Sequence, residues 1–144
     1  MKREETVDYN IKAAWHAISR MYNTEAGKYD ITTSIGFVLL NIDAELGTPA
    51  TKIAPLLGLE ARSLTRMLKN MEEKGLIYRQ ADPVDRRLVR IFLTEEGKNK
   101  KEISRRTVKS FNQAVVENIP PNKLQCFFEV INSINRLVDE HKFK

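Results

Sequence analysis

The hydrophobic positions in the centre of the chain change their spacing near Gly75, and this change predicts a helix followed by strands. Leu64, Leu68 and Met71 recur at helical spacing, which predicts an amphipathic helix over residues 61–74. Gly75 suits the left-handed residue that commonly ends a helix. The polar side chains of the predicted helix lie off its apolar stripe and are therefore expected to face solvent or a ligand.

A β-hairpin is predicted directly behind this helix. Leu76–Tyr78 begin one strand, residues 81–87 form a charged loop, and residues 88–93 form a return strand whose apolar side chains alternate with polar ones. Thr94 is expected to cap the following helix, because its hydroxyl can accept a bond from the first turn.

A second short helix is predicted just upstream. We expect Thr48 to be its N-cap and Pro49 its first residue, with the helix over residues 49–57 and Gly58 in the turn that follows. Two helices joined by a short Gly-containing turn form a helix-turn-helix, and a hairpin behind them forms a wing. Pro55 lies inside the first helix and is expected to kink or tighten it.

Amphipathic helices flank this unit on both sides. The pattern predicts helices over residues 6–22 and 33–45 before it, and over residues 95–118 and 121–140 after it. The stripes of the first and last helices are wider than a small winged helix can cover. We therefore expect a homodimer in which both chain ends interleave about a two-fold axis, with packing inside one chain as the alternative.

Four motifs in this region resemble the MarR family of winged helix-turn-helix transcription regulators. They are S-L-T-R at 63–66, E-K-G-L-I-Y-R at 73–79, D-P-x-D-R-R at 82–87 and L-T-x-x-G at 93–97. The resemblance implies a mainly α fold with a small antiparallel β-wing. It also implies that residues 30–97 of the single 1–144 chain form a DNA-binding lobe, and that residues 1–29 and 98–144 form a helical dimerisation region.

The function that this resemblance implies is sequence-specific binding of double-stranded DNA by a homodimer on a palindromic operator, most often as a repressor. Two other classes stay open: an RNA-binding or architectural winged helix, and a winged-helix module that binds proteins. A salt-resistant preference for one palindromic duplex would distinguish the regulator from the first class. Absence of any DNA affinity at low salt would favour the second.

The polar face of helix 61–74 supplies the candidate DNA contacts. A recognition helix places its N-terminal residues against base edges, so Arg62, Ser63 and Arg66 are candidate readers, and Arg can bind guanine with two bonds. Thr65 and Lys69 are candidate phosphate contacts. The alternative is a solvated helix face.

The wing loop supplies a second set of candidate contacts, namely Asp85, Arg86 and Arg87. An Arg on a hairpin tip can enter a narrow minor groove, where the negative potential is enhanced. Asp85 is expected to hold the neighbouring guanidinium. The sequence does not separate Arg86 from Arg87 as the inserted residue, and an exposed hairpin with solubilising charges is the alternative.

The positive charge of the chain is concentrated in its centre. Residues 50–93 carry nine Lys or Arg against five Asp or Glu, and residues 94–110 carry six against three. Residues 1–49 carry five against seven, and residues 111–144 carry four of each. A localised basic surface is what binding to a phosphate backbone requires.

No catalytic, cofactor or metal site is expected. His16 and His141 are the only histidines and are far apart, and no nucleotide-binding, hydrolase or zinc motif is present. Cys126 lies on the apolar side of the last helix and is expected to be a buried structural thiol. No apolar run approaches the ~20 residues of a membrane span, and no signal peptide is visible, so a cytoplasmic protein is expected.

The resemblance also implies a candidate ligand site. In relatives, small aromatic acids bind between the dimerisation helices and the DNA-binding lobe. Trp15, His16, Arg20 and Tyr22 on the first helix are the candidate lining residues, although each is equally suited to a core or a surface.

Overall fold

The computed structural model describes residues 1–143, and these residues form a mainly helical fold with one small sheet. The helices are α1 (Val7–Gly27), α2 (Thr33–Leu40), α3 (Ala50–Leu57), α4 (Ala61–Glu73), α5 (Glu95–Asn118) and α6 (Pro121–Asp139). The strands are β1 (Thr48–Pro49), β2 (Ile77–Ala81) and β3 (Val89–Leu93), which pair antiparallel in the order β1-β3-β2. The predicted fold class is thereby confirmed.

The chain divides into two compact units. The first runs from Met1 to Thr107 and contains α1 to α4, the sheet and the first half of α5. The second begins at Val108 and contains the end of α5 together with α6. None of the described side chains of α6 is buried within the chain. The predicted functional boundaries at residues 30 and 97 stay a prediction.

The core of the first unit joins α2, α3, α4 and the sheet. Its fully buried large side chains are Val38, Leu39, Ile42, Ile53, Met71, Ile77 and Ile91. The stripe of α4 packs into this core through Leu64, Leu68 and Met71, as its spacing predicted. The opposite face of α4 is therefore left outside the core.

Two helix boundaries differ from the prediction. The helix predicted over 6–22 continues to Gly27, through residues expected to form a polar connection. The helix predicted over 33–45 ends at Leu40. There the Asp43 carboxylate accepts hydrogen bonds from the backbone N–H groups of Glu45 and Leu46, both at 2.8 Å, and such local bonds compete with a helix.

The segment Thr48–Pro49 is a strand rather than the start of a helix, which corrects the prediction. Thr48 pairs with Ile91 and Pro49 with Arg90, so this short strand is the third member of the sheet. Pro49 is the N-cap of α3, and the helix continues through Pro55 to Leu57, so the internal proline does not end it. Gly58 follows with φ 65°.

The helical and wing boundaries otherwise lie close to those predicted. The predicted helix 61–74 ends at Glu73, the first wing strand extends to Ala81, and the return strand begins at Val89. We use the name wing for residues 77–93 from here on. Ile77 pairs with Leu93 at its base and Ala81 with Val89 at the start of its loop.

Candidate nucleic-acid interface

The exposed face of α4 carries all five candidate contacts of the helix. Arg62, Thr65, Arg66 and Lys69 are exposed, and Ser63 is partly exposed. The Thr65 hydroxyl donates to the Ala61 carbonyl at 2.9 Å, so its proton is already used within the helix. The structure thus brings the five predicted residues together on one helix of thirteen residues.

The cations of α4 are not paired with neighbouring side chains. Among residues 1–143, the side chains of Arg62, Arg66 and Lys69 make neither a hydrogen bond nor an ion pair, and the same holds for the side chain of Arg86 in the wing. A free guanidinium or ammonium group keeps all of its donors for an external acceptor. These side chains are therefore available to bind an anion.

The basic first half of α5 differs, because its cations bond within the first unit. Lys98 and Lys100 each lie 3.4 Å from a glutamate one turn earlier, and Arg105 bonds Glu102 at 2.7 Å. Lys100 also donates to the Tyr29 carbonyl, and Lys101 donates to the Ile42 carbonyl. The positive charge that the sequence places on this helix is thus largely engaged internally.

At the tip of the wing, Asp85 holds Arg87 as the sequence suggested. Nε and Nη2 of Arg87 lie 3.1 and 3.2 Å from the two carboxylate oxygens, and the Arg87 backbone N–H also donates to Asp85. These bonds, the side-chain one foremost, lower the pKa of the Asp85 carboxyl. The Arg87 side chain remains 90% exposed, so the brace fixes the guanidinium without covering it.

The wing loop begins at a buried carboxylate, Asp82, which the sequence presented only as the first residue of the D-P-x-D-R-R motif. Asp82 is 5% exposed, and its Oδ1 accepts from the backbone N–H groups of Val84 and Asp85 at 2.9 and 3.0 Å. Its Oδ2 accepts from Nε of Arg90 at 2.9 Å. The two backbone bonds are the main reason that the pKa of Asp82 is lowered.

Sequence reasoning missed Arg90, which stands opposite Gln80 in the wing. Its Nη1 donates to the Leu46 and Gly47 carbonyls at 3.1 and 3.3 Å, more than forty residues away in the chain. An Arg among apolar strand residues, facing an aspartate across the hairpin, was the available signal.

Thr94 and Gly97 fix the end of the wing to the start of α5. The Thr94 hydroxyl accepts from the Gly97 N–H at 3.0 Å, which confirms the predicted cap, and donates to the Gly75 carbonyl at 2.6 Å. Gly75 has φ 74°, as expected of a left-handed helix end. A Cβ on Gly97 would lie 2.0 Å from the Leu76 carbonyl oxygen, so this contact requires glycine.

The four candidate ligand-site residues fall into two pairs. Trp15 and Tyr22 both approach Phe37 of α2, with ring centroids 6.1 and 5.8 Å apart, and Tyr22 is buried. His16 and Arg20 are exposed and are not part of this aromatic group. Phe37 was missed, because in the sequence it is one of several apolar residues in α2.

Cys126 is exposed in the single chain, so the predicted burial of its thiol would require a second chain to cover this face of α6 and stays a prediction. Its helix packs none of its described side chains into a core of the same chain.

Within residues 1–143, no group of three or more His, Cys, Asp or Glu residues could hold a metal ion. No helix in that range combines the length and the apolar character needed to cross a bilayer.

Comparison with known proteins agrees with this geometry. The MarR family model matches residues 31–89, from the start of the core to the return strand of the wing. The HTH-type transcriptional regulator TtmR of Methylorubrum extorquens (strain PA1) is 34% identical over 93 residues, covering 65% of this chain and 48% of TtmR. The chain thus spans about half the length of that relative.

Two solved structures share the fold over nearly the whole chain. The transcriptional regulator SlyA is 26% identical with a TM-score of 0.79, covering 92% of this chain and 93% of the other. The S. aureus MepR–DNA complex is 22% identical with a TM-score of 0.83, covering 91% and 97%. The four motifs, the helix-turn-helix, the wing and the match to the family model thus agree in relating this chain to the MarR family, and TtmR and SlyA are transcriptional regulators.

Proposed function

We propose that this protein is a sequence-specific regulator of transcription that binds double-stranded DNA as a homodimer. The observation that carries the proposal is the set of unpaired cations on α4, namely Arg62, Arg66 and Lys69. The cations in the first half of α5 are largely engaged internally. The free positive charge is therefore concentrated on the helix that enters the major groove in helix-turn-helix proteins.

On this proposal, α4 and the wing contact different grooves of the DNA. Arg62, Ser63 and Arg66 of α4 read base edges in the major groove, and Arg66 can bind guanine with two bonds. Lys69 contacts a phosphate and fixes the register of the helix, and Thr65 does the same once its hydroxyl exchanges the Ala61 carbonyl for a phosphate oxygen. The wing carries Arg87, or its neighbour Arg86, into the minor groove, where an Arg reads groove width more than base identity.

The exposed apolar side chains of α1 and α6 support a dimer. Those of α1 are Val7, Ile11 and Trp15, and those of α6 are Phe127, Phe128, Val130, Leu137 and Val138. Apolar surface of this extent marks an interaction site, and most of the stability of a helix in a protein comes from the packing of its apolar face. We therefore assign residues 1–29 and 98–144 to dimerisation and residues 30–97 to DNA binding.

A two-fold dimer presents its two α4 helices to symmetric half-sites, so the proposed operator is palindromic. Selection of bound sequences from a random duplex library tests this. We expect two inverted half-sites with centres about 10 base pairs apart or a multiple of this. Enrichment of a single asymmetric half-site would contradict the dimeric arrangement. No enrichment and no affinity at low salt would contradict DNA binding itself and favour a protein-interaction module.

We further propose that the regulator represses and that a small aromatic acid releases it. The supporting feature is the aromatic group of Trp15, Tyr22 and Phe37, in which Trp15 is half-exposed. Because Trp15 is the only tryptophan of the chain, its fluorescence reports a ligand at this position directly. A panel of aromatic carboxylic acids that neither changes this emission nor weakens duplex binding would contradict the ligand proposal.

A further inference from the structure

The wing contains a hydrogen-bonded group that begins at the buried Asp82 and ends at the exposed Arg87. Asp82 accepts from the N–H groups of Val84 and Asp85 through one oxygen. The Asp85 carboxylate then accepts from the Arg87 backbone and side chain. The position of the exposed guanidinium therefore depends on a carboxylate that is 5% exposed.

Arg90 anchors that carboxylate to a different part of the fold. Its Nε donates to Asp82, while its Nη1 donates to the Leu46 and Gly47 carbonyls in the connection between α2 and β1. One planar guanidinium thus joins the base of the wing loop to a segment outside the wing. Lysine carries the same charge but lacks the rigid fork that makes both contacts at once.

The connection that receives Arg90 is itself held in place. The Asp43 carboxylate accepts from the Glu45 and Leu46 N–H groups, and the Asp43 N–H donates to the Thr48 hydroxyl. Immediately before it, Lys101 of α5 donates to the Ile42 carbonyl. Arg90 therefore fixes the wing loop to a segment braced by α5, not to a free loop.

We propose that Asp82 and Arg90 are positioning residues for DNA binding, which hold Arg87 in the orientation for insertion without contacting DNA themselves. The inference rests on the proposed function. Side chains ordered before binding lose less conformational entropy on binding, so the brace should raise affinity through Arg87. Arg90 is mostly covered, with 24% of its side chain exposed, and its Nε and Nη1 donors are directed to protein acceptors.

The first test is Arg90→Lys, measured by titration of an A·T-rich duplex long enough for two half-sites. Because Arg87 must then be ordered during binding instead of before it, the variant should bind roughly tenfold more weakly. The slope of log affinity against log salt should not change, because no phosphate contact is removed. Unchanged affinity, or a slope reduced as far as that of Arg87→Ala, would overturn the proposal.

A double-mutant cycle shows whether Arg90 acts through Arg87. If it does, Arg90→Lys combined with Arg87→Ala should bind as Arg87→Ala does alone, because the brace then has nothing to position. Losses that add would mean that Arg90 acts independently, and would overturn the positioning role. Arg105→Lys is the matched control, because it makes the same replacement in an exposed ion pair on α5 and should leave binding unchanged.

Amide hydrogen exchange shows whether Arg90→Lys disturbs only the wing loop or destabilises the whole fold. In Arg90→Lys, the Val84 and Asp85 amides should exchange faster, while the amides of the fully buried Val38 and Leu39 should not. Equal acceleration in both places would indicate a merely structural residue and overturn the proposal. Asp82→Asn is a second, milder variant. Its neutral amide oxygen accepts more weakly from the Val84 and Asp85 N–H groups, and its NH2 group cannot accept from Arg90, so the same pattern is expected on a smaller scale.

The proposed function and this inference fail differently. If the unaltered protein binds no duplex, the proposed function is wrong. If it binds, and Arg90→Lys and Asp82→Asn bind equally well with unchanged exchange at Val84 and Asp85, only the inference is wrong.

Discussion

Arg87 is held by two side-chain bonds and yet almost fully exposed, and this combination leads to the first prediction. Arg87→Ala should weaken binding to all duplexes and lower the preference for A·T-rich flanks. The slope of log affinity against log salt should fall by roughly 1 per Arg lost, hence about 2 for a dimer. Titrations at several salt concentrations measure both effects.

Two further variants serve as controls for that experiment. Asp85→Ala should reproduce part of the affinity loss with little change in the salt slope, because it removes the brace and no positive charge. Arg86→Ala tests the rival residue at the tip. If Arg86→Ala and Arg87→Ala both bind as the parent protein does at every salt concentration, the wing does not contact DNA.

Arg66 of α4 is expected to read one base in each half-site. Arg66→Ala should relax the preference at that position at a cost of about 1–3 kcal/mol, because one bidentate base contact is lost. Selection from a random duplex library with the variant measures this. Arg105→Ala removes the same charge from a paired position on α5 and should leave the selected motif intact. An unchanged motif for Arg66→Ala would show that Arg66 is not a reader.

Three carboxylates around the wing have lowered pKa values. The Leu46 N–H is the main cause for Asp43, the Asp85 N–H for Asp82, and the Arg87 side chain for Asp85. Because the folded pKa lies below the ordinary 3.8, their stabilising contribution is complete above pH 3.8 and is lost as the pH falls through the lower folded value. In urea unfolding, the stability difference between the parent and Asp82→Asn should therefore shrink below pH 3.8. A difference that stays constant there would contradict this.

At the scale of elements, the contact between α5 and the start of β2 depends on Gly97. Gly97→Ala should destabilise the protein by about 1–3 kcal/mol, because its Cβ would meet the Leu76 carbonyl oxygen at 2.0 Å and the backbone must shift. Urea unfolding measures the loss. Gly27→Ala is the control, since nothing lies within 4 Å of its added Cβ, and it should be neutral or slightly stabilising. Equal stability of the two variants would contradict this account.

The elements that the sequence predicted best are those whose apolar stripe meets the core. The spacing of Leu64, Leu68 and Met71 predicted α4 correctly, because it matches the helical period and all three side chains lie on the one buried face of the helix. The end of α2 was misplaced because Asp43 turns the backbone through side-chain bonds, which hydrophobic periodicity does not detect. β1 was missed because Thr48–Pro49 also suits a helix start, and only its pairing with β3 reveals a strand.

The sequence predicted those parts of the candidate site whose residues lie close together in the chain. The exposed α4 residues follow from helical periodicity, and the Asp85–Arg87 bond joins residues two apart. Arg90 was missed because its carbonyl acceptors lie more than forty residues away in the chain. A contact of this kind is set by the packing of the sheet, and no local pattern encodes it.

At the scale of the whole molecule, the exposed apolar stripe of α6 predicts a homodimer at micromolar concentration. Replacing Phe127 and Ile131 together with Asp should produce monomers or misfolded protein, because charges would be buried in an apolar contact. Sedimentation measures the assembly, and circular dichroism reports the fold. Ser133→Asp, at an exposed polar position of α6, should remain dimeric. A monomeric parent protein at these concentrations would contradict the prediction.

The ion pairs and backbone contacts of the α5 cations have a consequence for how a DNA-binding protein of this kind would search a chromosome. A cation that must first give up a carboxylate partner gains less from neutralising a phosphate, so the charge available for binding arbitrary DNA would be smaller than the composition suggests. Weaker non-specific binding would shorten the residence time at each non-operator site and speed transfer to the next site. By keeping much of its positive charge occupied, α5 would favour rapid sampling of the genome over tight retention on any stretch of it.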